Sequence, residues 1–120
     1  MDIEKIREYC LSFPEVTEEF PFDEVNLVFK VAGKIFLILP LDAVPFSVMV
    51  KCDPALAIDL RERYEDVVPG YHMNKKYWNT VYLSDRLDDD LIKSWIFHSY
   101  KEVIKKMPKY KREQLENLIK

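Results

Sequence analysis

"LVFKVAGKIFLIL", Leu27 to Leu39, decides how this chain folds. Leu27, Phe29 and Val31 alternate with Val28 and Lys30, the period-two pattern of a strand with one face in the core. Ala32-Gly33-Lys34 reads as a turn, with Gly33 supplying positive φ. The run Ile35–Leu39 is too short for a helix and rich in strand formers, so it returns as the hairpin partner. Short-turn connection makes the pair antiparallel.

Outward from this hairpin the chain alternates between strand and helix signals. Pro40 to Pro45 is a loop, and Phe46, Val48 and Val50 then alternate with Ser47, Met49 and Lys51 in a third strand. Asp53-Pro54 predicts a helix start, because Asp caps free N–H groups and Pro loses no bond in the first turn. That helix runs to about Tyr64. Val67 to Met73 and Tyr77 to Leu83 read as two further short strands around a polar turn. Asp88, Asp89 and Asp90 place negative charge at the positive end of the next helix. Its stripe is Leu91, Ile92, Trp95, Ile96, Ser99, Val103 and Ile104, spaced by three and four. Pro108 ends it and opens a last helix carrying Leu115, Leu118 and Ile119. On the N-terminal side, Ile3, Ile6, Tyr9, Cys10 and Phe13 recur at helical spacing after Asp2, and Pro14 stops that helix. The expected order is α-β-β-β-α-β-β-α-α: an α+β two-layer domain spanning 1–120, with an antiparallel sheet of about five strands packed against helices.

Composition fits this reading. The chain has 120 residues, 48% hydrophobic and 32% charged, with a formal net charge of −3. That length suits one domain with its own core, and the mild negative charge gives no global attraction to a polyanion. Cys10 and Cys52 lie far apart and form no CxxC, so buried free thiols are expected. The N-terminus carries acids where a signal peptide needs a basic and then an apolar run. No apolar stretch approaches the roughly 18 residues of a membrane span. A cytoplasmic location of bacterial type is the expectation.

Four segments carry a resemblance. "FKVAGKIFLIL" (Phe29–Leu39), "KCDP" (Lys51–Pro54), "PGYHMNKKYWNTV" (Pro69–Val81) and "SY" (Ser99–Tyr100) resemble the MmcQ/YjbR-like proteins in order and spacing. Tyr77 stands where that family often has histidine beside the tryptophan. The resemblance implies a frataxin/CyaY-like fold, an antiparallel sheet backed by helices. It also implies a suggested DNA-binding role through a double wing of hairpins.

The candidate site is the 69–81 hairpin. His72, Asn74, Lys75, Lys76, Tyr77, Trp78 and Asn79 bring ammonium groups, aromatic faces and amides into one short segment. Aromatics beside lysines suit nucleic acid, with π-faces for stacking and charge for phosphate. Against this, residues 73–76 can be a solvated turn and Trp78 a core residue. Strand periodicity sends Tyr77, Asn79, Val81 and Leu83 one way and Trp78, Thr80 and Tyr82 the other. His72 titrates near neutrality and could act as a base, but no Ser-His-Asp or Cys-His order accompanies it. His98 reads as a packing residue. Glu15, Glu18, Glu19, Asp23 and Glu24 read as a solvated acidic connector without the spacing of a cation loop. Lys101, Lys105, Lys106, Lys109, Lys111 and Arg112 make the C-terminal end basic. With only Gly33 and Gly70 in the chain, no phosphate-cradling loop exists. No cofactor, metal site or catalytic residue is expected.

The expected function is a small non-enzymatic binding module for nucleic acid through the 69–81 hairpin, monomeric or weakly dimeric. A protein-interaction adaptor using the same surface is the alternative. An enzyme or small-molecule binder with Tyr71, His72 and Trp78 lining a pocket stands third. A positive stripe joining Lys75 and Lys76 to the C-terminal lysines would favour nucleic acid; a deep pocket with convergent polar groups would favour the third.

Overall fold

A computed structural model describes residues 1–70 and 73–119. Helix α1 (Ile3–Leu11) is followed by strands β1 (Val16–Glu19), β2 (Asn26–Val31), β3 (Lys34–Pro40) and β4 (Ser47–Lys51). Then come α2 (Pro54–Arg63), β5 (Val67–Pro69), β6 (Trp78–Tyr82), α3 (Asp89–Ile104) and α4 (Lys109–Ile119). The strands form one antiparallel sheet in the order β1-β2-β3-β4-β6-β5. The sheet has six strands where the sequence suggests about five. The extra strand, β1, lies in the stretch read as an acidic connector. Its Val16 and Glu18 pair with Val31 and Phe29, two residues of the core. Glu18 is therefore an inward position, answered by Arg7 of α1 through Nε–Oε2 (2.8 Å) and Nη2–Oε1 (2.5 Å) hydrogen bonds. This bidentate pair holds the Glu18 carboxyl below its ordinary range, and it lets the strand carry an acid on its inward side.

Buried residues from all four helices join one core with the inward-facing strand residues. Val28 and Ile38, on the opposite face, lie outside that core. The α3 stripe is buried as its spacing predicts: Ile92, Trp95, Ile96, Ser99, Val103 and Ile104, together with Tyr100. Leu118 of α4 departs from the reading of its helix and stands 59% exposed. The strand expected over Val67–Met73 stops at Pro69.

A bulge between Phe29 and Lys30 of β2 against β3 explains an anomaly of the hairpin. Leu37 opposes Phe29, Ile35 opposes Lys30, and the extra residue Phe36 joins Leu37 inside. The ladder between β3 and β4 then runs only over Leu37–Val50 and Ile38–Met49. Beyond it the buried Ser99 hydroxyl bridges the strands, donating to the Phe36 carbonyl and accepting from the Lys51 N–H at 2.8 Å. A side chain thus replaces a missing ladder bond. Its neighbours do similar work. His98 Nε2 accepts the Asp53 N–H at 3.2 Å, and the Tyr100 hydroxyl donates to the Pro14 carbonyl at 2.9 Å. Burial pushes the Tyr100 hydroxyl up to about 12.

The turn at the tip of the deciding hairpin has positive φ at both central residues, Ala32 (47°) and Gly33 (83°). This is the backbone of a two-residue reversal whose twist matches the strands. Alanine is strained there. Ala32→Asn is expected to raise the unfolding free energy by roughly 1 kcal/mol, since asparagine tolerates the left-handed region. Urea unfolding of the two proteins checks this; an unchanged or lower midpoint would show that Ala32 carries no strain.

Both cysteines are free and buried. Burial raises both thiols, Cys10 most strongly and Cys52 to about 12. The helix-capping roles read from Asp2 and Asp53 are also present, with side chains accepting from Lys5 N–H and from Ala55 and Leu56 N–H.

Candidate nucleic-acid interface

The turn before β6 is built by Asn74. Its carbonyl accepts the Tyr77 and Trp78 N–H groups, each at 3.0 Å, while its side-chain Oδ1 accepts the Lys76 N–H at 3.0 Å. This local bonding is what asparagine favours in a turn. The turn is then fastened from outside by Arg61 of α2. The Arg61 guanidinium donates to Asn79 Oδ1 at 2.6 Å, to the Trp78 carbonyl at 3.2 Å and to the Lys75 carbonyl. Asn79 completes the link by donating to the Ala57 carbonyl at 3.3 Å.

These bonds sort the expected site residues. Asn79 is 1% exposed and its amide serves α2 and Arg61. Trp78 is 7% exposed, so its ring is not offered to solvent as a stacking platform. Asn74, Lys75 and Lys76 are exposed and Tyr77 is half-buried. His72 and Tyr71 lie outside the described residues. Of the set, the structure brings Lys76 and Tyr77 together at the surface.

Around Tyr77 it adds residues from elsewhere. Lys76 Nζ lies 5.5 Å from the ring centroid, Lys51 Nζ 5.9 Å and Lys106 Nζ 4.7 Å. Lys51 ends β4, and Lys106 follows α3 in the basic C-terminal segment. The Tyr77 carbonyl accepts the Cys52 N–H at 2.6 Å, which pins the ring's backbone to the end of β4. Burial lowers the Lys51 ammonium below its ordinary range, and the positive charges of Lys106 and Lys105 lower it further. The arrangement is three ammonium groups on one aromatic ring, the electrostatic reverse of the protein's net charge.

Lys51 and Arg61 were absent from the sequence-derived site, while Lys106 stood in the basic C-terminal cluster whose joining to Lys75 and Lys76 would favour nucleic acid. A lysine at a strand end and an arginine in the last turn of a helix carry no local signal of what they meet. Among the described residues no group of three or more His, Cys, Asp or Glu could hold a metal ion, and no helix is long and apolar enough to cross a membrane. A groove of about 590 Å³ is lined by Tyr9 of α1, Phe13 and its neighbours in the segment that follows, Phe97 of α3 and the end of α4, and by none of the described hairpin residues.

The fold and surface define an α+β protein with a six-stranded antiparallel sheet, backed by helices, that gathers positive charge at one strand end. The chain belongs to the YjbR family, whose model matches residues 11–102. It is 35% identical to the uncharacterized protein YbdF of Escherichia coli O157:H7 over 102 residues, covering 84% of this chain and 83% of that protein. It is 31% identical to the uncharacterized protein YjbR of Escherichia coli K12 over 118 residues, covering 98% and 100%. The crystal structure of Deinococcus radiodurans protein DR2400 superposes with a TM-score of 0.88 at 32% identity, over 95% of this chain and 87% of that one. A Pseudomonas syringae protein shares the fold with a TM-score of 0.71 at 24% identity, over 82% and 96%.

Proposed function

We propose that this chain is a non-enzymatic nucleic-acid-binding domain whose contact surface is the lysine patch around Tyr77. The observation that carries the reading is the convergence of Lys51, Lys76 and Lys106 on one ring. Like charges so gathered repel one another, and a polyanion relieves the repulsion. Lys106 ties the hairpin to the basic end of the chain, the continuity that favours phosphate over other ligands. Tyr77 supplies a fixed aromatic edge beside the phosphate contacts. We also read the helix-backed sheet as a relative of the frataxin fold, with the hairpins as its working edge. Cytoplasmic residence accords with this role.

The test is fluorescence anisotropy with labelled single- and double-stranded DNA across a salt series. Lys76 and Lys106 are both exposed, so their alanine variants retain the fold. Each lysine that neutralises a duplex phosphate contributes about −0.9 to the slope of log affinity against log salt, so Lys76→Ala with Lys106→Ala flattens that slope by about 1.8. Absence of binding by the wild type at low salt sinks the nucleic-acid reading and leaves the protein adaptor. An unchanged slope in the double variant keeps nucleic acid but moves its site elsewhere.

A further inference from the structure

The opposite end of the strands carries a different surface. β4 begins at Ser47 and ends at Lys51, so the loops before Ser47 lie at the far end from the lysine patch. There the β1–β2 connection (residues 20–25) and the β3–β4 connection (residues 41–46) lie side by side, joined by a Leu41 N–H to Val25 carbonyl bond of 2.8 Å. Five exposed large apolar residues fall in these two loops: Phe20, Phe22, Val25, Leu41 and Val44. Phe22 is 65% exposed and Val44 95%. Single exposed apolar residues need no explanation, but five on two adjoining loops, two of them phenylalanines, do.

The loop that carries the phenylalanines is braced. Asp23 accepts the Val25 and Asn26 N–H groups at 2.9 and 2.8 Å and the Asn26 side chain at 2.7 Å. Phe22 is therefore presented on an ordered backbone, which lowers the cost of engaging a partner. Beside it, Ile3, Phe20, Leu27 and Leu41 line a groove of about 440 Å³ whose other walls are Glu4, Glu18, Glu19 and Arg7.

The charge around this apolar surface is negative on balance. Residues 16–29 and 40–47 hold five carboxylates, Glu18, Glu19, Asp23, Glu24 and Asp42, and no lysine or arginine. Arg7 answers Glu18 and Glu4, and Lys30 answers Glu19, so the groove itself is largely neutralised. Glu24 and Asp42 add exposed charge on the two loops. An anionic membrane or nucleic acid is repelled by such a rim. A second copy docking the same surface would set carboxylates against carboxylates.

We infer that the 20–25 and 41–46 loops form a docking surface for a basic amphipathic helix of another protein. Its apolar side chains enter the Phe20–Leu41 groove and cover Phe22, and its lysines or arginines meet Glu24 and Asp42. This is helix-in-groove recognition, with the charges steering encounter and the phenylalanines carrying the affinity. It is independent of the lysine patch, so the two surfaces can be occupied at once.

The experiment uses the whole chain and a fluorescein-labelled 14-residue peptide of leucine and lysine at helical spacing. Two controls replace its lysines with glutamate or its leucines with serine. Anisotropy is expected to show salt-sensitive binding of the leucine–lysine peptide, at least tenfold tighter than either control. In ¹⁵N-resolved spectra the shifts should gather at residues 18–27 and 41–46. Phe22→Ser, an exposed position, should leave the unfolding midpoint unchanged and weaken the peptide at least tenfold. Equal binding of the lysine–serine control, shifts outside the two loops, or an unaffected Phe22→Ser variant would overturn the proposal. Concentration-dependent dimerisation that protects the same amides would overturn it too, by making a second copy the occupant.

Discussion

Trp95→Ala is expected to lower the unfolding free energy by roughly 3–5 kcal/mol, the cost of removing a large aromatic from a packed interior. Trp95 sits mid-way along α3, 7% exposed, between buried Ile92 and Ile96. Its ring meets Tyr64 edge-on at 5.2 Å and 72°. Tyr64 is the residue that ends α2, so one indole joins the long helix to the short one. A protein of this size has about 5–15 kcal/mol of stability in all, and the variant loses a large part of it. Urea denaturation followed by far-ultraviolet circular dichroism measures the loss. A change within experimental error would mean that the neighbours close over the space, a collapse that Tyr64 alone is poorly placed to provide. Trp95→Phe should recover part of the deficit because it keeps an aromatic edge against Tyr64.

That prediction was open to reading from the sequence, and the reason is physical. α3 is long, its apolar residues repeat over four turns, and a 3.6-residue period has no other interpretation at that length. The Ala32-Gly33 hairpin was legible for a similar reason, since alternation and a reversing turn agree. β1 was not legible. It has four residues, and its inward side holds Val16 and Glu18. A strand that buries a carboxylate looks polar until its cation, Arg7 on another element, is known. Phe36 and Leu37 both point inward because of a bulge that simple alternation does not contain. In the hairpin, alternation assigned Asn79 and Trp78 to opposite faces correctly, yet both are buried. Period-two reasoning tells which side a residue takes and not how well that side is covered. The lysine patch was legible in part: a stripe joining Lys75 and Lys76 to the C-terminal lysines was an open possibility, but the addition of Lys51 from the end of β4 and the convergence on Tyr77 have no local signal. Ser99 and Tyr100 stood out within a family motif, and the structure gives them bridging and tethering hydrogen bonds.

Arg61→Ala and Arg61→Lys are both expected to lower stability by about 2–3 kcal/mol, the cost of losing charge-assisted bonds and stranding a buried acceptor. The acceptor is Asn79 Oδ1, in a residue with 1% exposure. Lysine offers one ammonium where the planar guanidinium reaches Asn79 and the Trp78 carbonyl in a fixed fork, so conservation of charge gives no rescue. The local consequence is sharper than the global one. The Tyr77 and Trp78 N–H groups, bonded to the Asn74 carbonyl, should exchange with solvent faster in both variants, because the turn that holds them is no longer tied to α2. Native-state hydrogen exchange reads this directly, and unchanged protection would show that Asn74 holds the turn unaided. The pair of variants also separates position from charge at the lysine patch. If Arg61 acts by placing Lys76 and Tyr77, both variants should bind DNA more weakly at every salt concentration with the slope unchanged, since the patch lysines remain. If Arg61 itself meets a phosphate, Arg61→Ala should flatten the slope by about 0.9 and Arg61→Lys should not. The three bonds that Arg61 makes within the protein favour the first outcome, because a guanidinium committed to Asn79 and two backbone carbonyls has little left to offer a ligand.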